Sequence, residues 1–70
     1  MITREELVNL REEYKFGSRV RLIEMDDFAS PGVGALGTVI SVDDLGSIKV
    51  CWDNGRILNV LYKKDKIKKL

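Results

Sequence analysis

The apolar positions of the first segment recur with a helical period. Leu7, Leu10 and Tyr14 stand at i, i+3 and i+7, Val8 lies beside them, and the opposite face is charged. Just ahead, Thr3-Arg4-Glu5-Glu6 has the spacing of a capping box, in which a threonine hydroxyl and a glutamate three residues on satisfy each other's backbone amides. The pattern predicts an amphipathic helix over residues 3–14 that stops near Phe16-Gly17.

Beyond Gly17 the period falls to two. Residues 18–25 read as a strand with Val20 and Leu22 on one face and Arg19, Arg21 and Ile23 on the other. Residues 26–36, with Pro31, Gly32 and Gly34, read as a long surface loop. Residues 38–42 are rich in β-branched side chains and predict a second strand. Asp43-Asp44-Leu45-Gly46 is a tight turn, after which residues 47–53 alternate with Ile48, Val50 and Trp52 inward. Asn54-Gly55 then predicts a hairpin through a type I′ turn, which needs positive φ at both central residues. Residues 56–61 return as the partner strand, residues 62–65 resemble one helical turn, and residues 66–70 make a last strand with Ile67 inward.

One long first loop, two tight hairpins and a turn before the fifth strand predict a mainly β fold. The expected form is a five-stranded SH3-like barrel with one N-terminal α-helix, since closure removes the exposed sheet edges of so short a chain. Residues 1–15 form the helical segment and residues 16–70 the barrel of a single domain. The helix stripe has two candidate partners: the barrel mouth, or a second copy joined through Leu7, Leu10 and Tyr14 as a homodimer.

Composition narrows the chemistry. With 70 residues there is room for one domain, and a chain this small buries only roughly 60% of the surface its unfolded form exposes. Histidine is absent and Cys51 is the lone cysteine, so there is no intrachain disulfide and no cysteine- or histidine-based metal site. Apolar runs fall far short of the ~20 residues that cross a bilayer, and the start lacks the regions of a signal peptide, so a cytoplasmic protein without a membrane partner is expected. The net charge of +1 hides an asymmetry: residues 1–14 carry −2, residues 15–55 carry −2 and residues 56–70 carry +5.

Several motifs bear on function. Gly32-Val33-Gly34-Ala35-Leu36-Gly37 has the letters of a dinucleotide fingerprint but runs into a strand instead of opening a helix, so its glycines serve turns and close backbone approach. Asp43-Asp44 is expected to shape its turn, and Asp26-Asp27 to shape the long loop or meet a partner. Trp52 shares its phase with Ile48 and Val50, which places it in the core rather than on a stacking surface. Arg56, Lys63, Lys64, Lys66, Lys68 and Lys69 are candidates for phosphate contacts, although lysines on an edge strand also deter unwanted pairing.

Gly37-Thr38-Val39, the strand Ile48-Lys49-Val50-Cys51-Trp52 and the turn Asp53-Asn54-Gly55 resemble a KOW-type segment, the small-barrel element of ribosomal and transcription-elongation proteins. A second resemblance is to the bacterial and phage family called domain of unknown function 4314. It rests on Met25-Asp26-Asp27, Pro31-Gly32, Gly37-Thr38-Val39, Val42-Asp43-Asp44, Gly46, Trp52-Asp53-Asn54-Gly55 and Asp65. It spans residues 16–70 and leaves the helix outside, and Phe28 stands where that family tends to have proline. The resemblance implies the barrel fold and assigns no activity.

No nucleophile–base pair, metal cluster or phosphate cradle emerges, so the chain reads as a non-enzymatic binding module without a cofactor. The first expectation is a protein-interaction module or accessory adaptor of phage or mobile-element origin. It would act through an acidic patch of Asp26, Asp27, Asp43 and Asp44 with Phe28 as an exposed aromatic anchor. The alternative is a KOW-like nucleic-acid or ribonucleoprotein accessory using Arg56 and the C-terminal lysines, with Lys63, Lys64, Lys66 and Lys68 in one basic strip.

Overall fold

The computed structural model describes residues 1–70 as α1 (Arg4–Glu13), β1 (Arg19–Glu24), β2 (Leu36–Val42), β3 (Ile48–Trp52), β4 (Ile57–Val60) and β5 (Lys66–Lys69). The capping box is present in full: the Glu6 amide donates to Thr3 Oγ1 at 3.1 Å and the Thr3 amide to Glu6 Oε1 at 3.0 Å. Tyr14 closes the helix by donating its amide to the Leu10 carbonyl. No helix of this chain is long and apolar enough to cross a membrane.

All strand pairs are antiparallel, in the order β4-β3-β2-β1-β5. Alternation puts one set of side chains on the inner face. Val20 and Leu22 from β1, Val39 from β2, Ile48, Val50 and Trp52 from β3, and Val60 from β4 form the buried core. The helix contributes no buried residue, so this core is covered mainly by the curl of the sheet on itself. Ile23 in β1 and Ile40 in β2 are the extra residues at two register shifts, and bulges of this kind increase local twist. The Trp52 indole N–H donates to the Leu58 carbonyl at 3.2 Å, which satisfies the one polar group of the largest core side chain.

Two expectations are corrected. The sheet does not close into a barrel: β4 pairs only with β3 and β5 only with β1, leaving an open seam. A tight turn joins the two strands. The Leu61 carbonyl accepts from the Lys64 and Asp65 amides, and the Leu61 amide donates to Asp65 Oδ2 at 2.8 Å. The Asn54-Gly55 hairpin is not type I′ either, because Gly55 has φ +88° but Asn54 does not lie at positive φ. It is a three-residue loop in which the Gly55 amide donates to the Trp52 carbonyl and the Trp52 amide to the Arg56 carbonyl, the geometry of a type I turn with a glycine bulge. Asp43–Ser47 repeats that design with Gly46 at φ +85°.

The helix lies against its own sheet. Leu10 and Tyr14 pack on the core, and the Arg11 guanidinium donates to the Val42 carbonyl and to Asp44 at 2.8 Å. Tyr62 Oη donates to Glu6 Oε2 at 2.6 Å, tying the helix to the β4–β5 turn. Two of the three residues suggested for a helix-mediated dimer are thus already engaged within one chain.

Candidate functional site

Three concavities mark the surface, and one of them runs along the open seam beside β4. Asp26, Asp27, Ile57, Leu58, Asn59, Leu61, Lys64 and Asp65 line a groove of about 340 Å³ between the start of the β1–β2 loop, β4 and the β4–β5 turn. Asp26 and Asp27 also share an adjoining open hollow with Phe28, whose side chain is fully exposed.

Local geometry sets each part. Asp27 Oδ1 accepts the Ala29 amide at 2.7 Å, an Asx turn that shapes the loop as its sequence position implies. Asp26 has no hydrogen-bond or ion-pair partner within the protein. Asp65 orders the β4–β5 turn through Leu61, and Lys64 makes no salt bridge. Three carboxylates face one ammonium around an apolar floor, so the groove is net negative. No three His, Cys, Asp or Glu side chains converge in a metal-binding arrangement.

The four aspartates do not form one acidic patch. Asp43 Oδ1 accepts the Leu45 and Ser47 amides at 2.9 Å and so is spent on its turn. Asp44 pairs with Arg11 on the helix side of the fold. Neither lines a cavity with Asp26 and Asp27. A sequence shows both pairs as acidic, but only the register shows that a helix cation neutralises one of them.

The basic residues are spread as well. Arg56 follows the β3–β4 hairpin, which the bidentate Arg19–Asp53 contact ties to the start of β1. The Arg19 guanidinium hydrogen-bonds Asp53 and holds its carboxyl below the usual range. At the other end of β1, Lys66 stands opposite Glu24. Lys63 sits at φ +60° with its ammonium 5.6 Å from the Tyr62 ring centroid, and Lys64 faces the groove. Lys69 pairs in register with Val20 near the β1 start. Lys63 and Lys66 line one hollow with Tyr62 and Ile67, while Lys64 faces the groove and Lys68 lies opposite Arg21.

One cation of interest was not singled out by the sequence. Arg21 stands directly opposite Lys68 across β1 and β5, and neither makes a salt bridge. Its outward phase on β1 was legible; its neighbour depended on a pairing forty-seven positions away. Ile57, Leu58, Asn59 and Leu61 were likewise read only as a returning strand, and the open seam makes them groove walls.

The glycine motif behaves as its position before a strand implies. Gly32 and Gly34 hold φ of +97° and +88° in the loop, and Gly37 lies at a tight β2–β3 contact. Trp52 is 1% exposed and offers no stacking surface.

Against this geometry, a family model described as Domain of unknown function (DUF4314) matches residues 3–70. The chain belongs to the DUF4314 family. The match includes α1, which corrects the narrower span of residues 16–70 and agrees with the helix being packed into the fold. Neither the curated proteins nor the solved structures contain a match. Membership in DUF4314 carries no activity with it, so the function rests on the surfaces described above.

Proposed function

We propose that this DUF4314 member is a non-catalytic binding module, an SH3-like small barrel with one open seam, that recognises another protein through the β4 groove. The strand order β4-β3-β2-β1-β5 in an antiparallel meander supports the SH3-like description. The observation that carries the functional reading is the juxtaposition in one groove of Asp26 and Asp27 with Ile57, Leu58 and Leu61, beside the fully exposed Phe28. Apolar floor, unneutralised carboxylates and an aromatic at the rim are the composition of a specific protein-binding surface. Affinity capture from the native host compares the wild-type chain with a Phe28→Ala/Asp26→Lys double variant. The double variant is expected to lose the captured partner; unchanged capture overturns the assignment to this groove.

One observation favours a second reading. Like charges directly across a strand pair are destabilising, yet Arg21 faces Lys68 with Lys66 close by. A polyanion such as RNA or DNA on this outer face would relieve the repulsion. Titration of labelled RNA and DNA at low and moderate salt tests it, since affinity carried by phosphate contacts falls steeply with salt. Absence of binding at the lower salt rejects this reading.

A further inference from the structure

The two edges of the sheet are not alike. The β5 edge carries Lys66, Lys68 and Lys69, and lysine is a residue that discourages another strand from pairing there. The β4 edge reads Ile57-Leu58-Asn59-Val60, with neither charge nor proline to discourage pairing.

Register shows which β4 groups are free. Trp52 and Arg56 are a hydrogen-bonded pair at the hairpin. In an antiparallel ladder such pairs alternate, so Leu58 opposite Val50 and Val60 opposite Ile48 turn their amides and carbonyls toward β3. Ile57 and Asn59 therefore aim theirs at the seam, where no strand meets them. Leu61 does not continue this row, because its amide and carbonyl are held by the turn through Asp65 and Lys64.

Resting on the proposed protein-binding role of the groove, we infer that the partner contributes an extended, lysine- or arginine-bearing segment that adds to the free edge of β4 as a sixth strand. Its main chain would exchange hydrogen bonds with Ile57 and Asn59. In strand addition the backbone supplies affinity and alternate side chains supply specificity. One set of alternate side chains would lie beside Ile57 and Leu61, which share a phase. The other would bring cations to Asp26 and Asp27, which like the third groove carboxylate, Asp65, make no salt bridge. A basic segment is favoured over an acidic one because Lys64 is the only cation in the groove wall.

The test uses the full chain labelled with nitrogen-15 and a synthetic octapeptide of alternating lysine and valine, with a glutamate–valine octapeptide as control. Hydrogen exchange is read at the amides of residues 57–60. With the lysine peptide, Ile57 and Asn59 are expected to slow by about tenfold or more while Leu58 and Val60, already paired, change little; the glutamate peptide leaves all four unchanged. N-methylating the lysine peptide on alternate residues should weaken binding by roughly tenfold in one phase and spare it in the other, because only one phase donates to the edge. Asn59→Pro, which removes an outward N–H of an edge strand, should keep the circular dichroism of the wild type and lose the peptide.

If the lysine peptide binds with shifts at the groove side chains and no slowing at Ile57 and Asn59, strand addition is overturned and the groove reading of the function stands. Equal binding of both peptides overturns the basic character of the partner. Slowing at Ile57 and Asn59 that grows with protein concentration in the absence of peptide assigns the edge to a second copy and overturns the proposal. No binding of the lysine peptide at millimolar concentration overturns it outright. Loss of partner capture by the Phe28→Ala/Asp26→Lys variant is a separate result that bears on the groove alone.

Discussion

Gly37→Ala isolates the closest backbone packing in the sheet. Gly37 is buried and pairs with Trp52, and a Cβ added to it would stand 2.6 Å from Val50 Cγ1, 2.8 Å from Trp52 Cε3 and 3.1 Å from the Cys51 carbonyl oxygen. Ordinary carbon contacts begin near 3.4 Å. None of the three neighbours can retreat easily. The carbonyl belongs to β3, the indole is pinned by its bond to the Leu58 carbonyl, and Val50 is fully buried. Forcing a methyl group into a filled core costs about 1–3 kcal/mol. Because Gly37 does not lie at positive φ, alanine is compatible with its backbone and recovers about 0.4–1 kcal/mol by restricting the unfolded chain. A net loss of about 1–2 kcal/mol follows, which in a domain of this size lowers Tm by roughly 5–15 °C. Thermal and urea unfolding followed by circular dichroism measures it. Adding Val50→Ala removes the closest clash, so the double variant should be more stable than the two single losses imply, by about 0.5–3 kcal/mol. A Gly37→Ala protein as stable as wild type, or strict additivity with Val50→Ala, would refute the close-approach reading of this glycine.

The Tyr62 hydroxyl, followed by the Thr3 amide and hydroxyl, pulls the Glu6 carboxyl down to about 2, so folding contributes stability that is present above the ordinary carboxylate range near 4.5 and is lost as pH falls toward 2; Glu6→Gln should flatten that acid limb in a series of unfolding midpoints. Part of the limb survives through Asp53, whose carboxyl Arg19 also lowers. At the β3–β4 hairpin, Gly55→Ala should cost about 1–2 kcal/mol because an L-residue resists the left-handed conformation, whereas Asn54→Ala should cost only about 0.5–1.5 kcal/mol through the lost Asn54 Oδ1–Arg56 amide bond. Equal, large losses at both positions would restore the type I′ assignment. Phe28→Ala, at a side chain that touches no core residue, should leave the urea midpoint within about 0.5 kcal/mol of wild type, so that any loss of binding by this variant is a surface effect.

The sequence made the elements legible wherever periodicity and caps agree. Thr3 and Glu6 mark the helix start, and Ile48, Val50 and Trp52 alternate into the core as their phase requires. What it concealed was pairing. Period-two patterning tells which face a residue occupies but not which strand lies beside it, so Arg21 opposite Lys68 and Arg11 at Asp44 could not be read. Closure failed for the same reason. Alternation in β4 and β5 is compatible with mutual pairing, yet β4 pairs only with β3 and β5 only with β1. Asn-Gly predicted the hairpin correctly and its turn type wrongly, since the positive φ of Gly55 is common to both geometries and that of Asn54 is not. Asp26, Asp27 and Phe28 were identified as a candidate surface; the groove wall opposite them became visible only once the seam was found open.

The open seam leaves β4 available to a second copy of the chain as well as to a partner. An uncharged edge strand is a hazard that proteins blunt with charge, proline or cover, and β5 carries the lysines while β4 carries neither charge nor proline. Asp26 and Asp27 stand across the groove from β4. A second β4 edge approaching in the same way would bring its own groove carboxylates against these, with only Lys64 of each copy to offset them. The loop thus disfavours symmetric β4–β4 association while leaving the edge open to a strand of opposite charge. Converting Asp26 and Asp27 to asparagine removes the repulsion and keeps side-chain size, and sedimentation velocity should then show a dimer that the wild-type chain does not form. A variant that stays monomeric at the same concentration would mean that the carboxylates play no part in guarding β4.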